Sequence, residues 1–471
     1  MFKIGFKREE ELILKAINFS TPRKYDLLSD SYYGDGGFED GTYLIPHPRE
    51  LADRYGRRRA LSYYCNYVKP VVNAHVNPIF KTTPTRDVKS GNYYEDFLEN
   101  VDGKNTKMTT FMKRVAKQAK LNGVMFVVVD APNIDIGTTV TKALVKEKRL
   151  YPYLYTLHPK CIKDYVLDKF GNLEYIEYSI EKVELIGTDK STTTQTWKWT
   201  RTNWSKEDSN GKVSGENNIG IIPIIPIYGA LCEDGELIPQ SEIYPIAKTN
   251  YALFNACSEL RERNRNQAFS ILTFPVLEGD TGGMEDINVG SSDMLVYETG
   301  SQKPEFITPD AEPSDMLKSE ITMMIQEIYR MASLQLVTGI QTQASGISKE
   351  WDNLQLYQTV GEFADNLLDC ERKIAEIFGK YVTENVSVII SYNKQFGIAD
   401  PTETLNMATQ ALALNVCPEY NFEIKRKLIR DTLKDVDDVV VDKVLDNLDT
   451  DGNARNPIGI DPTVLSYRSR S

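Results

Sequence analysis

The chain has 471 residues, of which 41% are hydrophobic and 26% are charged, the composition of an ordinary soluble globular protein. This length accommodates about three average domains, or one elongated subunit built from several segments. The net charge of −12 argues against binding of free nucleic acid through a basic surface, but it allows an acidic channel that DNA crosses without adhering.

The N-terminal part of the chain is predicted to be mainly helical. Amphipathic patterns indicate three helical segments, over residues 8–18, 49–80 and 106–122. Pro70 and Pro78 are expected to bend or end the second of these segments. After the third segment, Gly123 leads into a short apolar stretch, 124–129, which is predicted to be a strand.

Between residues 151 and 228 the pattern changes to β. Four stretches of β character are separated by turn signals: Tyr153–Tyr155, Leu173–Val183, Thr193–Asn203 and Ile219–Tyr228. The longest apolar run, Ile219–Cys232, carries Pro223 and Pro226, so it is predicted to be a buried strand and not a membrane span. Residues 20–235 are therefore expected to form an α+β region with an antiparallel sheet.

Residues 241–269 predict one long helix that changes character along its length. Its last third, 259–267, is almost wholly polar and carries three arginines, Arg261, Arg263 and Arg265. A helix that loses its apolar stripe leaves the core of its own chain and meets solvent or neighbouring chains.

A β-rich insert over residues 270–312 separates this helix from a second amphipathic helix, predicted over 313–334. The chain then enters an uncharged segment rich in Gly, Ser, Thr and Gln, 338–347, which has too little bulk for a core of its own. Ser348 is expected to cap another long helix that extends to Tyr381. A neutral tip between two long helices is suited to touching something that moves past, and catalytic pockets are not usually built in this way.

The C-terminal part is predicted to be a strand followed by helices. The strand spans residues 386–392, and the helices are expected over 402–414, 419–434 and 436–448. Aspartates accumulate between Asp435 and Asp451. From residue 450 onward the composition predicts a loosely held tail.

No catalytic framework is recognisable in the sequence. It contains no phosphate-binding glycine loop, no HExxH and no GxSxG. The six cysteines lie singly, as expected of reduced and mostly buried thiols, and the three histidines, His47, His75 and His158, are expected to be structural. Charged residues follow Met1 too closely for a signal peptide, which predicts a chain made and kept in cytosol. We therefore expect no enzyme activity, no cofactor and no metal.

The order of these elements resembles that of the portal proteins of tailed bacteriophages, in particular the siphophage-like portal family. Two groups of residues carry the same resemblance. The first looks like the N-terminal signature of several portal families: His47-Pro48-Arg49-Glu50, Tyr55, Arg59-Ala60, Tyr63-Tyr64, Asn66 and Val71-Val72 through Ile79-Phe80-Lys81. The second resembles the stretch after the portal tunnel loop: Ser345-Gly346 ahead of Lys349 and Trp351. The resemblance covers roughly residues 45–440.

The resemblance implies an α+β portal fold with wing, stem, clip and crown regions. The implied boundaries are 1–235 for the N-terminal region and wing, 236–269 for the first stem helix, 270–312 for the clip, 313–335 for the second stem helix, 336–348 for the tunnel loop, 349–395 for a long wing helix with the following strand, and 396–471 for the crown and C-terminal tail.

The resemblance also implies roles for particular residues. The tunnel loop would face the DNA channel with Thr338, Gly339, Gln341, Thr342, Gln343, Ser345 and Gly346. Contacts between subunits would be made in the clip by Phe274, Leu277, Leu295, Tyr297 and Phe306. The three stem arginines would either line the bore or form ion pairs with acids of neighbouring chains. For the loop, the alternative is a plain connection between two helices.

A portal protein forms a ring, usually of twelve identical subunits, at one capsid vertex, through which double-stranded DNA is packaged and ejected. The implied partners are the DNA, the terminase large subunit, a head–tail adaptor, and the major capsid and scaffold proteins, with no membrane. The implied location is the portal vertex of the virion, and the host cytoplasm during assembly. Two alternatives stay open: another structural head–tail connector or minor capsid protein, and a nucleic-acid-processing enzyme.

Overall fold

The computed structural model describes residues 23–48, 50–91, 93–132, 145, 149–186, 189–209, 211–267, 271–273, 305–307, 312–334, 346–394, 396, 401–433, 441, 443–445 and 447. The chain divides into two compact units, which meet in sequence after Phe396. The helix predicted over residues 8–18 lies outside the described residues, as does most of the helix predicted over 436–448.

Within the described residues up to Asn122, the first unit contains the helices α1 (Lys24–Tyr33), α2 (Ala52–Leu61), α3 (Val68–Val76), α4 (Tyr94–Glu99) and α5 (Met108–Asn122), with one strand, β1 (Thr85–Ser90), between α3 and α4. The predicted segment 49–80 is thus α2, α3 and a short 3₁₀ turn at Asn77–Phe80, separated by a break at residues 62–67. Our expectation for Pro70 was wrong. Pro70 lies in the first turn of α3, where a missing N–H costs no helical hydrogen bond. Pro78, in contrast, is the second residue of the 3₁₀ turn that follows α3.

Helix α5 ends where the sequence predicts, at Gly123, whose φ of 90° is open to glycine. The strand that follows, β2 (Val124–Asp130), is buried on both faces. Val124, Phe126 and Val128 face one hydrophobic cluster, and the alternate residues Met125, Val127 and Val129 face another. β2 is therefore apolar throughout because it separates two cores.

β2 is the middle strand of an antiparallel sheet with β3 (Tyr153–Leu157) and β9 (Ile224–Tyr228). A second antiparallel sheet has the order β4-β5-β6-β7-β8, with the strands β4 (Ile162–Leu167), β5 (Leu173–Ile186), β6 (Asp189–Thr200), β7 (Asn203–Asp208) and β8 (Gly211–Glu216). The predicted antiparallel pairing is confirmed, but one predicted sheet is two. The expected strand 193–203 is also divided, because the chain turns after Thr200, where β6 ends, and β7 begins at Asn203.

Two long helices follow, α6 (Ile243–Gln267) and α7 (Glu312–Met331). Between them lie two short strands that pair antiparallel, β10 (Ile271–Thr273) and β11 (Glu305–Ile307). The end of α6 and the start of α7 line the same groove, so the two helices run side by side in opposite directions.

The longest helix of the described chain is α8 (Gly346–Val382), and it is followed by β12 (Ser387–Ser391), which pairs antiparallel with β1 (Thr85–Ser90). α8 begins at Gly346, so Ser348 lies inside the helix and our prediction that it caps the helix was wrong. The buried stripe of α8 includes Val360, Leu367, Ile374 and Phe378.

One buried ion pair joins the β1–β12 ribbon to α8. The Arg86 guanidinium donates to both carboxylate oxygens of Glu371, at 2.8 and 2.6 Å, and to the Thr109 hydroxyl at 2.8 Å. The Tyr392 hydroxyl donates a further hydrogen bond to Glu371. Because Glu371 is fully buried, these contacts compensate a carboxylate that has no access to water.

The second unit contains a helical hairpin, α9 (Pro401–Ala413) and α10 (Pro418–Thr432), as the sequence predicts. Cys417 caps α10, because its sulfur accepts a hydrogen bond from the Tyr420 N–H. None of the residues 405–429 is buried. In the described part of the chain, no helix combines the length and the apolar character that crossing a membrane requires.

Candidate functional site

Several residues singled out from the sequence lie outside the described residues. They are the loop residues Thr338, Gly339, Gln341, Thr342, Gln343 and Ser345, and the insert residues Phe274, Leu277, Leu295 and Tyr297. Gly346 is the first residue of α8, and Phe306 is the middle residue of β11, opposite Leu272 of β10. The described part of the candidate site is therefore the pair of long helices α6 and α7.

The first half of α6 is fixed to the body by a buried asparagine. The Asn250 side chain is completely buried, and its Oδ1 accepts hydrogen bonds from the Tyr67 N–H at 3.0 Å and the Tyr64 hydroxyl at 2.9 Å. Its Nδ2 donates to the Cys65 carbonyl at 2.9 Å. One amide side chain thus satisfies the irregular backbone at the break between α2 and α3, which sequence periodicity does not identify.

A second polar contact lies one to two turns further along α6. The Asn255 Oδ1 accepts from the Ile45 N–H at 2.7 Å. The buried Arg58 of α2 donates to the Ile45 carbonyl at 2.8 Å and to both carboxylate oxygens of Glu50, at 2.8 and 2.7 Å. Burial raises the pKa of Glu50, but the hydrogen bonds from Arg58 and from the His47 backbone outweigh this effect and hold its pKa below the usual range.

The last third of α6 is exposed, as its polar sequence predicts. The Arg261 guanidinium lies 5.1 Å from the centre of the Tyr63 ring, a cation–π contact on a tyrosine that is 53% exposed. Arg263 faces the groove beside α7, and Arg265 is exposed in the last turn. Within the described residues, no ion pair joins any of the three arginines to an acid.

The groove between α6 and α7 has a volume of about 780 Å³. Glu50 and Arg58 line the groove as an ion pair, so together they add no net charge. Its walls carry three further acids and one further base: Glu259, Glu262, Arg263 and Glu320. The groove is therefore acidic on balance, and a basic side chain of another chain would be a favourable occupant.

Helix α7 has two apolar faces. The inner stripe that the sequence predicts includes Ile328, which is fully buried, while Ile321 and Met324 are partly buried against the same core. On the outer face, Met316 is 68% exposed and Met323 is 63% exposed. Residues seven apart lie on one side of a helix, so α7 presents a second, uncovered apolar edge beside the groove.

Two of the three histidines, His75 and His158, make contacts within the chain. His75 is buried, and its Nδ1 lies 2.9 Å from the Val71 carbonyl oxygen. Burial, reinforced by the charge of Lys120, lowers the pKa of His75 to about 4. The His158 Nδ1 accepts from the Lys160 N–H at 3.0 Å. Among the residues that the structure describes, no three His, Cys, Asp or Glu side chains are grouped so that they could hold a metal ion.

No protein-family model and no curated protein sequence matches the chain. Solved structures of a gene transfer agent particle do contain similar chains, each 12% identical in sequence. One comes from the virion of the native particle, with a TM-score of 0.42 and coverage of 87% of this chain and 94% of that chain. Two come from the particle neck. The neck of the empty particle, computed with C6 symmetry, gives a TM-score of 0.44 and coverage of 83% and 89%. The neck of the native particle, computed with C12 symmetry, gives 0.43, 88% and 98%. At this identity and these TM-scores, the similarity gives no residue of this chain a role.

Proposed function

We propose that this chain is the subunit of a portal ring at one capsid vertex, through which double-stranded DNA is packaged and ejected. The observation that carries the proposal is the helix pair α6–α7, whose exposed polar ends and outer apolar edge lie uncovered in the described chain. The pair is followed by an uncharged sequence segment and by the 37-residue helix α8. A subunit with this arrangement buries the exposed ends against identical neighbours.

The charge of the chain supports a channel and argues against a DNA-binding surface. With a net charge of −12 per subunit, a ring repels phosphates on average and releases few counterions when DNA enters it. The Gln, Thr and Ser side chains of residues 338–347 hydrogen-bond to phosphates without trapping them as arginines do. DNA in such a bore is guided and stays free to slide.

The ring contacts that we propose use the groove between α6 and α7. Glu259 and Glu320 outnumber Arg263 on its walls, so a basic side chain of the neighbouring subunit would complete the charge balance. In this proposal the insert 270–312 receives the terminase large subunit and later the head–tail adaptor. The major capsid and scaffold proteins surround the ring.

The test is the mass and symmetry of the purified full-length protein, measured by native mass spectrometry and negative-stain imaging. We expect a ring of about twelve subunits with a central hole, because the exposed helix pair is an interface between identical chains. A compact dimer or a small closed oligomer without a channel would contradict the proposal. A chain that stays monomeric even when produced together with its capsid and scaffold proteins would contradict it as well.

A second experiment separates the ring from its channel. Deleting residues 339–346 should leave ring assembly intact and reduce DNA packaging or retention, because in this proposal the segment contacts DNA and not the neighbouring subunit. Failure of ring assembly would instead mean that the segment is a structural connection. Measuring ATP hydrolysis and Mg²⁺-dependent DNA cleavage on the same samples tests the enzyme alternative, which predicts activity that one carboxylate substitution abolishes.

A further inference from the structure

The charge of the chain is divided unevenly between its N-terminal part and the rest. Residues 1–160 carry 26 lysines and arginines against 18 acids, a balance of +8, whereas residues 161–471 carry 29 bases against 49 acids, a balance of −20. The net charge of −12 therefore combines a basic part with a strongly acidic part. A charge asymmetry of this kind indicates contact with a polyanion through the basic part alone.

Three lysines of the basic part form a cluster at the surface of the body. Lys113 and Lys117 lie one turn apart on α5, and Lys69 lies in the first turn of α3, which packs against α5. Burial lowers the pKa of Lys117, and the positive charges of Lys113 and Lys69 lower it further. In the part of the body that the structure describes, none of the three lysines forms an ion pair with an acid. Their charges therefore repel each other in the lone subunit.

Hydrogen-bonding side chains lie beside these lysines. The Lys69 Nζ is 5.9 Å from the centre of the Tyr32 ring, and the Tyr33 ring lies against that of Tyr32 at 5.0 Å. Tyr33 is 55% exposed, and its hydroxyl oxygen accepts a hydrogen bond from the Gln118 Nε2 at 3.1 Å. The O–H proton of Tyr33 is then left to donate to an anion.

Two further lysines extend the cluster to the other end of α1. Lys24, the first residue of α1, lies 5.9 Å from the centre of the Tyr244 ring, and Lys248 of α6 lies 5.7 Å from the same centre. Lys24 and Tyr32 are eight residues apart on one helix, which separates the two groups of lysines by about 12 Å. We call the five residues the lysine patch: Lys24, Lys69, Lys113, Lys117 and Lys248.

The sequence segments of this basic part that lie outside the described residues do not supply the missing negative charge. Residues 1–22 carry four bases and three acids, and residues 133–148 carry three bases and two acids. Both segments are positive on balance. The excess positive charge of the N-terminal part is therefore not neutralised within that part, and an anion from another molecule would relieve the repulsion.

The number of charges selects the chemistry of that molecule. The α6–α7 groove of a neighbouring subunit offers Glu259 and Glu320 against Arg263, too few acids for five lysines. A DNA duplex carries one negative charge per roughly 1.7 Å of its axis, so a stretch of about 12 Å presents about seven phosphates. Lysines are flexible point charges that follow phosphates without a fixed register, and a tyrosine hydroxyl such as that of Tyr33 is a usual neutral donor to phosphate.

We infer that the lysine patch binds the phosphate backbone of double-stranded DNA without reading its sequence. This contact goes beyond the proposed function, in which the uncharged residues 338–347 face DNA in the bore. The patch lies on the helices α1, α3, α5 and α6 of the body and is a second, separate contact. Because the rest of the chain is acidic, binding is weak and sensitive to salt, and the DNA stays free to move.

The test replaces three lysines of the patch together, as Lys69→Gln, Lys113→Gln and Lys117→Gln. Fluorescence anisotropy then measures how a short labelled DNA duplex binds to the full-length protein over a series of salt concentrations. The loss of three phosphate contacts should weaken binding at least about tenfold near about 50 mM salt, and it should lower the slope of log affinity against log salt by about 3. If the triple variant is unstable, Lys69→Gln alone, at an exposed position, should lower the slope by about 1.

The matched control removes the same total charge elsewhere, as Lys89→Gln, Lys107→Gln and Lys380→Gln. Each of these lysines forms an exposed ion pair with an acid, so the local potential that a phosphate would meet there is small. The control variant should therefore bind the duplex nearly as the wild type does.

Three outcomes would overturn the inference. The first is a wild-type chain that binds no duplex even at low salt. The second is equal binding by the patch and control variants, which would mean that the patch makes no contact of its own. The third is displacement of the duplex by poly-glutamate at equal charge concentration, which would mean that the patch receives an acidic protein. None of these measurements requires a ring, so the inference and the proposed function fail independently.

Discussion

The two ends of α6 lie in opposite environments. Near the start, Asn250, Phe254 and Asn255 are buried, and the two asparagines connect three separate parts of the chain by hydrogen bonds. Near the end, Arg261 and Arg265 are exposed. One helix therefore belongs to the body at its start and is exposed at its end. Interactions within the chain hold the first part, and the second part lies largely outside the core of its own chain.

The second unit resembles the exposed end of α6. The apolar side chains of Leu405 and Met407 in α9 and of Tyr420 in α10 are exposed, and no residue between 405 and 429 is buried. Helices of 13 and 15 residues are marginally stable by themselves and depend on packing for most of their stability. The body of the first unit, with its buried ion pair and two cores, does not share this dependence.

The largest effect is expected from breaking the ion pair of the body. Arg86→Met leaves the fully buried Glu371 carboxylate without its cation, and it should lower the free energy of unfolding by about 3–5 kcal/mol. Urea unfolding of the dissociated subunit measures this loss. Lys89→Met is the matched control on the same strand, because the ion pair between Lys89 and Asp87 is exposed and should contribute little. Equal effects of the two substitutions would mean that the body is not held by its buried contacts.

The next effect is a pH dependence located in the body, next to the start of α6. His75 lies close to Lys120, whose Nζ is 2.6 Å from the carboxylate of Glu242, just before α6 begins. Burial and the Lys120 charge lower the pKa of His75 from 6.5 to about 4 in the folded chain. As the pH falls, the unfolded chain therefore binds the proton first. The neutral histidine therefore contributes about 3 kcal/mol to the free energy of unfolding above about pH 6.5, and this contribution is lost as the pH falls towards 4.

The substitution His75→Gln isolates this contribution, since glutamine does not titrate. The stability of the wild-type subunit should fall more steeply between pH 6.5 and 4 than that of the variant, as measured by urea unfolding at several pH values. His158 and the carboxylates titrate in both proteins and cancel in the difference. Parallel stability curves would show that His75 is not held neutral by the body.

A smaller effect is expected from comparing two asparagines of α6. Asn250→Ala removes three hydrogen bonds in the buried half and should lower the free energy of unfolding by about 2 kcal/mol, because it leaves buried groups without partners. Asn264→Ala lies in the exposed third and should change stability little. Thermal unfolding of both variants measures the difference. Similar losses at the two positions would mean that the exposed end is also packed within its own subunit.

The sequence predicts local structure better than it predicts how elements associate. The α+β class is confirmed, and the bounds of α5 and β2 are predicted to within two residues, because Gly123 and the helical and apolar patterns act locally. Period-two patterns identify strands but do not assign them to sheets, so the division into two sheets was missed. Pro70 was misjudged because a proline tolerated in a first turn has the same sequence signal as one that ends a helix.

In the candidate site, too, the sequence predicts local features but not contacts between distant parts of the chain. The loss of the apolar stripe along α6 is visible in the sequence, and it predicts the exposure of Arg261 and Arg265. The ring of Tyr63 beneath Arg261 is far away in the chain, and no local pattern indicates it. The roles assigned to the loop and the insert stay predictions.

The smallest effect on the isolated subunit should come from the groove. Glu259 and Glu320 are exposed on its two walls, so the double substitution Glu259→Lys, Glu320→Lys should change the free energy of unfolding by less than about 0.5 kcal/mol. If the groove receives a basic side chain of the neighbour, the same variant should assemble only at higher protein concentration, since like charges then meet across the interface. Added salt should narrow the difference from wild type, because it screens exposed charges. Sedimentation at several salt concentrations measures the assembly of the variant and of the wild type. Unchanged assembly at every salt concentration would show that the exposed end of α6 faces solvent or the bore and not a neighbour. The two ends of α6 would then differ only in their exposure to solvent.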